Sequence, residues 1–190
     1  MKQELLIGIT ESGVMHTDAD PPIPLDTKFQ MVKESGVYDY FDKTPPLELE
    51  DDYRRCSEKY ELPILAGGWF YVLGRDEDLL MENLRLGARL GSLVHNTQII
   101  MDHQDGSLVS DEQVVEIYLR AYETGEACGC RPTFEVHVNM WSEDFRRIEK
   151  VADLIEKQGI PFRMTLDHSH VIFKIDNPRE QEVFNIRESI

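Results

Sequence analysis

The feature that most restricts this chain is a rhythm. Signals that end one helix and open the next strand fall at Gly36, Leu62, Gly91, Gly129 and Gly159, so a unit recurs about every 30 residues. That is the length of one strand plus its crossover helix. Apolar or alternating runs at 5–10, 37–41, 62–65, 93–101, 133–139 and 160–166 predict strands. Helical patterns at 25–35, 44–60, 76–90, 110–128 and 142–158 stand between them. The run 66–69 continues the third strand into a loop, 17–24 reads as a loop, and 168–173 as a loop or short extension. Asn177-Pro178 predicts the opening of a final helix. Ser110-Asp-Glu-Gln113 has the form of a capping box, and Ser142 stands where a cap is needed.

Strand–helix alternation maintained six times implies an α/β fold with a parallel sheet and helices outside it. An open sheet that binds a nucleotide would carry a glycine-rich turn after its first strand, and Gly8-Ile-Thr-Glu-Ser-Gly13 lacks that spacing. Polar residues gather instead at the C-terminal ends of many strands: Glu11, Asp39, Trp69, His103, Glu135, His137 and Asp167. Contributions from several strand ends are the habit of a (β/α)8 TIM barrel, and that is the fold expected. About six βα units are present, so the barrel is expected to be incomplete within one domain across residues 1–190. A full barrel takes about 250 residues. Residues beyond Ile190 or a second copy are expected to close it.

Composition narrows the partners. No apolar run approaches the roughly 18 residues of a membrane span, and no cleavable signal pattern opens the chain. A net charge of −16 argues against nucleic acid or anionic lipid as the main partner. Three cysteines, Cys56, Cys128 and Cys130, suggest reduced thiols in a cytoplasmic protein. Cys128-Gly-Cys130 has no second pair to complete a soft-metal site.

The stretch 133–139, Thr-Phe-Glu-Val-His-Val-Asn, alternates strictly, placing Glu135, His137 and Asn139 on one side. In a parallel sheet both faces are covered, so a carboxylate and an imidazole there need partners, either a metal ion or a substrate. The alternative is an edge strand with a wet polar face. A second cluster, Leu166-Asp-His-Ser-His170, ends the next unit. Together the two supply carboxylates and imidazoles suited to Mn²⁺, Mg²⁺, Co²⁺ or Zn²⁺. The competing reading has Asp167 and His168 capping the following segment, with His170 in solvent.

Glu135-Val-His137 on a fifth strand and Asp167-x-x-His170 after a sixth resemble the xylose-isomerase-like TIM-barrel superfamily. That group includes sugar-phosphate isomerases and epimerases, dehydratases and AP endonucleases. The resemblance runs from about residue 5 to 173, though only the two short motifs are specific. It implies that Glu135 and Asp167 bind a divalent metal, with His170 beside them as ligand or substrate contact and His137 acting on substrate. The family completes its metal shell from a seventh and an eighth strand, which this chain does not display.

Among the remaining residues, His103 is a catalytic candidate at the end of the fourth strand. Trp69, His168 and Glu11 are candidate substrate contacts, Trp69 as a stacking platform. His95 is expected to be buried or on the outer wall. The expected function is a metal-dependent isomerase or epimerase of a small sugar, sugar phosphate or polyhydroxy keto compound, proceeding through an enediolate. The expected partners are a carbohydrate-like small molecule and a second copy of the chain, not nucleic acid or membrane. The alternative from another class is a degenerate, partner-completed barrel that binds without catalysing. A dehydratase would use the same chemistry, while an AP endonuclease is disfavoured by the acidic charge.

Overall fold

The computed structural model describes residues 5–14 and 22–173, with side chains described as far as His170. Six parallel strands form one sheet in sequence order. They are β1 (Gly8–Thr10), β2 (Tyr40–Asp42), β3 (Ile64–Tyr71), β4 (Val94–Ile99), β5 (Arg131–Val136) and β6 (Met164–Leu166). The helices α1 (Leu25–Ser35), α2 (Glu50–Tyr60), α3 (Glu77–Leu90), α4 (Asp111–Cys128) and α5 (Phe145–Glu156) cross between consecutive strands, and α6 (His168–Phe173) follows β6. This is an incomplete TIM barrel. Its outer strands β1 and β6 do not pair with each other.

Local chemistry accounts for the boundaries. Ser110 accepts a hydrogen bond from the Gln113 backbone, and the Gln113 side chain returns one, so the capping box that opens α4 is formed. Helices α3 and α4 end where Gly91 and Gly129 take the left-handed conformation that a side chain would oppose. Helix α5 buries Ile148, Val151 and Ile155 at helical spacing. These side chains join Leu80, Leu84, Val114, Tyr118 and Phe134 in the larger core, between the sheet and α3–α5. A second core of Phe29, Val32, Phe41, Tyr53 and Ile64 lies under α1 and α2.

Several expectations need correction. The third strand runs through Gly67-Gly68 to Tyr71 rather than loosening at Ala66. There Asn96 of β4 approaches so closely that a Cβ on Gly68 would stand 2.9 Å from its carbonyl oxygen, which leaves room only for glycine. The fifth strand stops at Val136, and Asn139 turns the chain at φ 61°. Ser142 lies in a short 3-10 turn, and Asp144 caps α5 instead, by accepting from the Arg146 backbone. The sixth strand is only three residues long, and 168–173 is helical. The final helix expected at Asn177 and most of the loop expected at 17–24 lie outside the described residues.

One irregularity positions the site. Phe41 pairs with Ile64, but Asp42 pairs with Ala66, so β3 carries one extra residue between them. Phe41 and Ile64 thereby face the helices, where both are fully buried. Asp42 faces the barrel interior.

Candidate metal centre

Glu135 is 6 % exposed on the inner face of β5. Its Oε2 accepts from Asn96 Nδ2 at 2.6 Å and from Gln98 Nε2, both projecting from β4. Among the described residues no lysine or arginine forms an ion pair with it, and its hydrogen bonds from side chains are the two to Oε2. A buried carboxylate held only by neutral amides still needs a positive charge.

Beyond β5 the chain folds back on itself. The His137 backbone amide donates to Ser142 Oγ at 3.2 Å, and that hydroxyl donates to the Glu135 carbonyl oxygen. His137 Nδ1 lies 2.6 Å from the Val138 carbonyl oxygen. A carbonyl can only accept, so Nδ1 carries the proton and the lone pair is on Nε2. Such a backbone partner is what fixes the tautomer of metal-binding histidines.

His170, in the first turn of α6, lies against His137 with ring centroids 3.6 Å apart. Its Nδ1 is buried without a hydrogen-bond partner. Its Nε2 stands 3.6 Å from Asp167 Oδ2. Potential ligand atoms of Glu135, His137 and His170 all lie within 4.8 Å of one another. One carboxylate oxygen and two imidazole nitrogens suit a borderline divalent ion, and the orphaned Nδ1 is an unmet demand that such an ion would satisfy.

Asp167 stands behind this group rather than in it. Its Oδ1 accepts from the Ser169 hydroxyl at 2.7 Å and the Ser169 backbone at 2.8 Å. Those bonds, followed by the nearby His170, hold its carboxyl below the usual range. It supports His170 as a carboxylate–histidine pair.

The remaining predicted residues are more scattered. Glu11 accepts from Lys28 Nζ at 2.7 Å and from the Tyr53 hydroxyl at 2.7 Å, and pairs with Lys43 Nζ at 2.9 Å. Burial alone would raise its pKa, but these partners bring it to about 2. Glu11 thus anchors Lys43 at the rim, and Lys43 Nζ lies 6.0 Å from the centre of the Trp69 ring. Trp69, 45 % exposed, borders a cavity of about 330 Å³ with Glu11, Asp42, Lys43, Phe70, Asn96 and Gln98. His168 is exposed at the start of α6. His103 pairs with Asp105 at 3.2 Å and lines a different cavity with Arg75 and Arg120, apart from Glu135, His137 and His170. His95 is 1 % exposed and points toward the helices, bonded to Tyr71 and Thr44.

Asn96, Gln98, Phe70 and Asp42 were not singled out from the sequence. Asn96 and Gln98 do alternate along β4, but the equally polar His95 and Thr97 face the other way and mask the signal. Phe70 sets its ring edge toward His137, with centroids 5.9 Å apart.

The architecture is that of the α/β barrels, and more narrowly it is the fold of the xylose-isomerase-like TIM barrels. A 3-keto-D-glucoside 4-epimerase from E. coli superposes with a TM-score of 0.66 at 12 % identity, over 93 % of this chain and 73 % of that one. A xylose isomerase domain protein from Planctomyces limnophilus gives 0.63 at 10 % identity, over 90 % and 66 %. A family 2 AP endonuclease from Brucella melitensis gives 0.58 at 11 % identity, over 77 % and 65 %. The chain thus spans about two thirds of the length of the solved structures it resembles. No protein-family model and no curated protein matches the sequence.

Proposed function

We propose that this chain carries the metal-binding part of an isomerase or epimerase acting on a small polyhydroxy carbonyl compound. The observation that supports this most is the convergence of Glu135, His137 and His170 within 4.8 Å, around a buried carboxylate that lacks a cationic partner. Glu135, His137 Nε2 and His170 Nδ1 would hold a divalent ion of the Mn²⁺, Mg²⁺, Co²⁺ or Zn²⁺ class. When bound, such an ion supplies positive charge where a substrate carbonyl gains negative charge as its α-proton leaves. Three protein donors leave open positions for a carbonyl and its neighbouring hydroxyl.

The protein's own residues supply position. Asn96 and Gln98 fix Glu135 by two donors to one oxygen. Phe70 and Trp69 give the cavity apolar walls against which the carbon face of a sugar-like ligand can lie, and Lys43 gives its rim a positive charge. A dehydratase would draw on the same chemistry, while the net charge of −16 weighs against the endonuclease reading. Among the described residues the outer edges of β1 and β6 are unpaired, which favours a second reading, a partner-completed barrel that binds metal or ligand without turnover.

The test is solvent exchange. The metal-loaded protein is incubated in D₂O with a panel of small ketoses, their phosphates and hydroxypyruvate, and deuterium at the α-carbon is followed by proton NMR. Wash-in for at least one compound, abolished by chelation, is expected. Metal binding with no wash-in across the panel would favour the binding protein.

A further inference from the structure

Four carboxylates line the cavity or flank the histidines, and three are engaged. Glu11 has two lysines and a tyrosine hydroxyl, Glu135 has two amides, and Asp167 has Ser169 and His170. Asp42 makes no side-chain hydrogen bond or ion pair with any described residue. It is half-buried, and its backbone is held on both sides by pairing with Thr10 of β1 and Ala66 of β3. Its carboxylate is therefore held in place by the backbone while its oxygens stay available to a ligand in the cavity.

The cavity offers a second unmet acceptor. Asn96 gives its Nδ2 to Glu135, and its Oδ1 is buried without a donor. Asp42 and Asn96 border the same space, which also contacts Gln98 and Phe70. Gln98 holds Glu135, and the Phe70 ring lies against His137, so the space is one side chain removed from two of the three candidate ligands. Two acceptors lacking donors match a ligand with several hydroxyl groups.

We propose that Asp42 is the catalytic group that exchanges a proton with the substrate, across the cavity from Glu135, His137 and His170. This rests on the enediolate reading given above. The Asp42 carboxylate takes the hydrogen from the carbon next to the carbonyl as a proton. The C–H bonding pair becomes the new carbon–carbon double bond, and the carbonyl pair moves onto oxygen. Return of the proton to the same face of the same carbon restores the substrate, and an epimer forms only when a second donor protonates the opposite face. Return to the neighbouring carbon, with the hydroxyl proton passing between the two oxygens, yields the isomer. No oxidant or reductant is needed.

The surroundings suit a proton carrier. Burial raises the Asp42 pKa above the usual carboxylate value, the charge of Glu135 adds to this, and Lys43 opposes it. A cation on Glu135 would offset the second contribution and leave the first. A carboxyl moved toward neutrality is a better general base near neutral pH than an exposed aspartate.

The experiment compares wild type with Asp42→Asn, measuring deuterium wash-in over the same ketose panel and Zn²⁺ affinity by calorimetry. Wash-in is expected to fall on the order of 10²-fold or more with metal affinity unchanged, and Asp42→Glu to recover part of it. Equal wash-in in both proteins would overturn the role of Asp42 and leave the enediolate reading standing. Loss of wash-in together with metal affinity would make Asp42 a ligand instead. Absence of wash-in from metal-loaded wild type would overturn both readings. Should Asp42→Asn not fold, Asp42→Ser is judged by the same two measurements.

Discussion

The rings of His137 and His170 lie 3.6 Å apart, centroid to centroid, at 38° to each other. One comes from the turn after β5 and the other from the helix after β6, so the contact joins two neighbouring units exactly where their carboxylates, Glu135 and Asp167, also meet the mouth. Each ring has one nitrogen turned to a protein oxygen, the Val138 carbonyl for His137 and the Asp167 carboxylate for His170. The other nitrogen of His170, Nδ1, is buried without a hydrogen-bond partner.

In the proposed metal site Glu135, His137 and His170 are ligands and Asp167 is a support. Asp167→Asn is expected to weaken divalent-metal affinity about 10–100-fold, the usual effect of losing a carboxylate behind a ligating histidine. Competition against a chromophoric chelator measures it. Complete loss, matching that of Glu135→Gln, would make Asp167 a direct ligand, as the family resemblance implies.

Gln98→Ala removes one of the two donors on a buried carboxylate. Unfolding of the metal-free protein is expected to ease by about 1–3 kcal/mol, because Glu135 is left less satisfied. Saturating Zn²⁺ should restore much of the melting temperature by mass action. No recovery with metal would mean that the ion does not neutralise Glu135.

Acid should destabilise the fold from an unusually high pH. Burial lowers the pKa of His95 from 6.5 to about 3, so the folded state keeps it neutral where the unfolded chain takes up a proton. Stability is therefore full above pH 6.5 and is lost as pH falls toward 3, at up to about 1.4 kcal/mol per pH unit. Glu11, with its pKa lowered from 4.5 to about 2, adds a second loss below pH 4.5 in the same direction. Denaturant melts at pH 7, 6, 5 and 4 test this, and His95→Gln should remove the slope between 6.5 and 5.

Gly67→Ala tests how closely β3 must pack on the segment that follows β2. A Cβ there would stand 2.3 Å from Thr44 Oγ1 and 3.0 Å from the Lys43 backbone, next to Asp42. The strand must shift, so a loss of about 1–3 kcal/mol is expected in chemical denaturation. An unchanged midpoint would mean that β2 yields freely.

The sequence made the order of elements legible because each unit carries its own punctuation. The Ser110 capping box and the glycines after α1, α3 and α4 are local chemistry, and they appear where the pattern puts them. Strand ends were less legible. The alternation of 133–139 continues past Val136, but the chain turns at Asn139, where Ser142 accepts from the His137 amide and Glu143 from the Asn139 amide, contacts that no periodicity encodes. The residues that converge were only partly readable. Glu135, His137 and His170 stood out because charge and imidazole on a covered strand need explanation. Asp42 did not, since β2 is only three residues long and offers too little alternation to give a direction.

The central claim is that Glu135, His137 and His170 hold one divalent ion. Calorimetric titration of the full chain with Zn²⁺, in parallel with Glu135→Gln and His170→Ala, tests it most directly. One ion per chain is expected for wild type, with binding lost in Glu135→Gln, which is nearly isosteric, and severely weakened in His170→Ala. Equal affinity and stoichiometry in all three proteins would place any bound metal elsewhere and contradict the account.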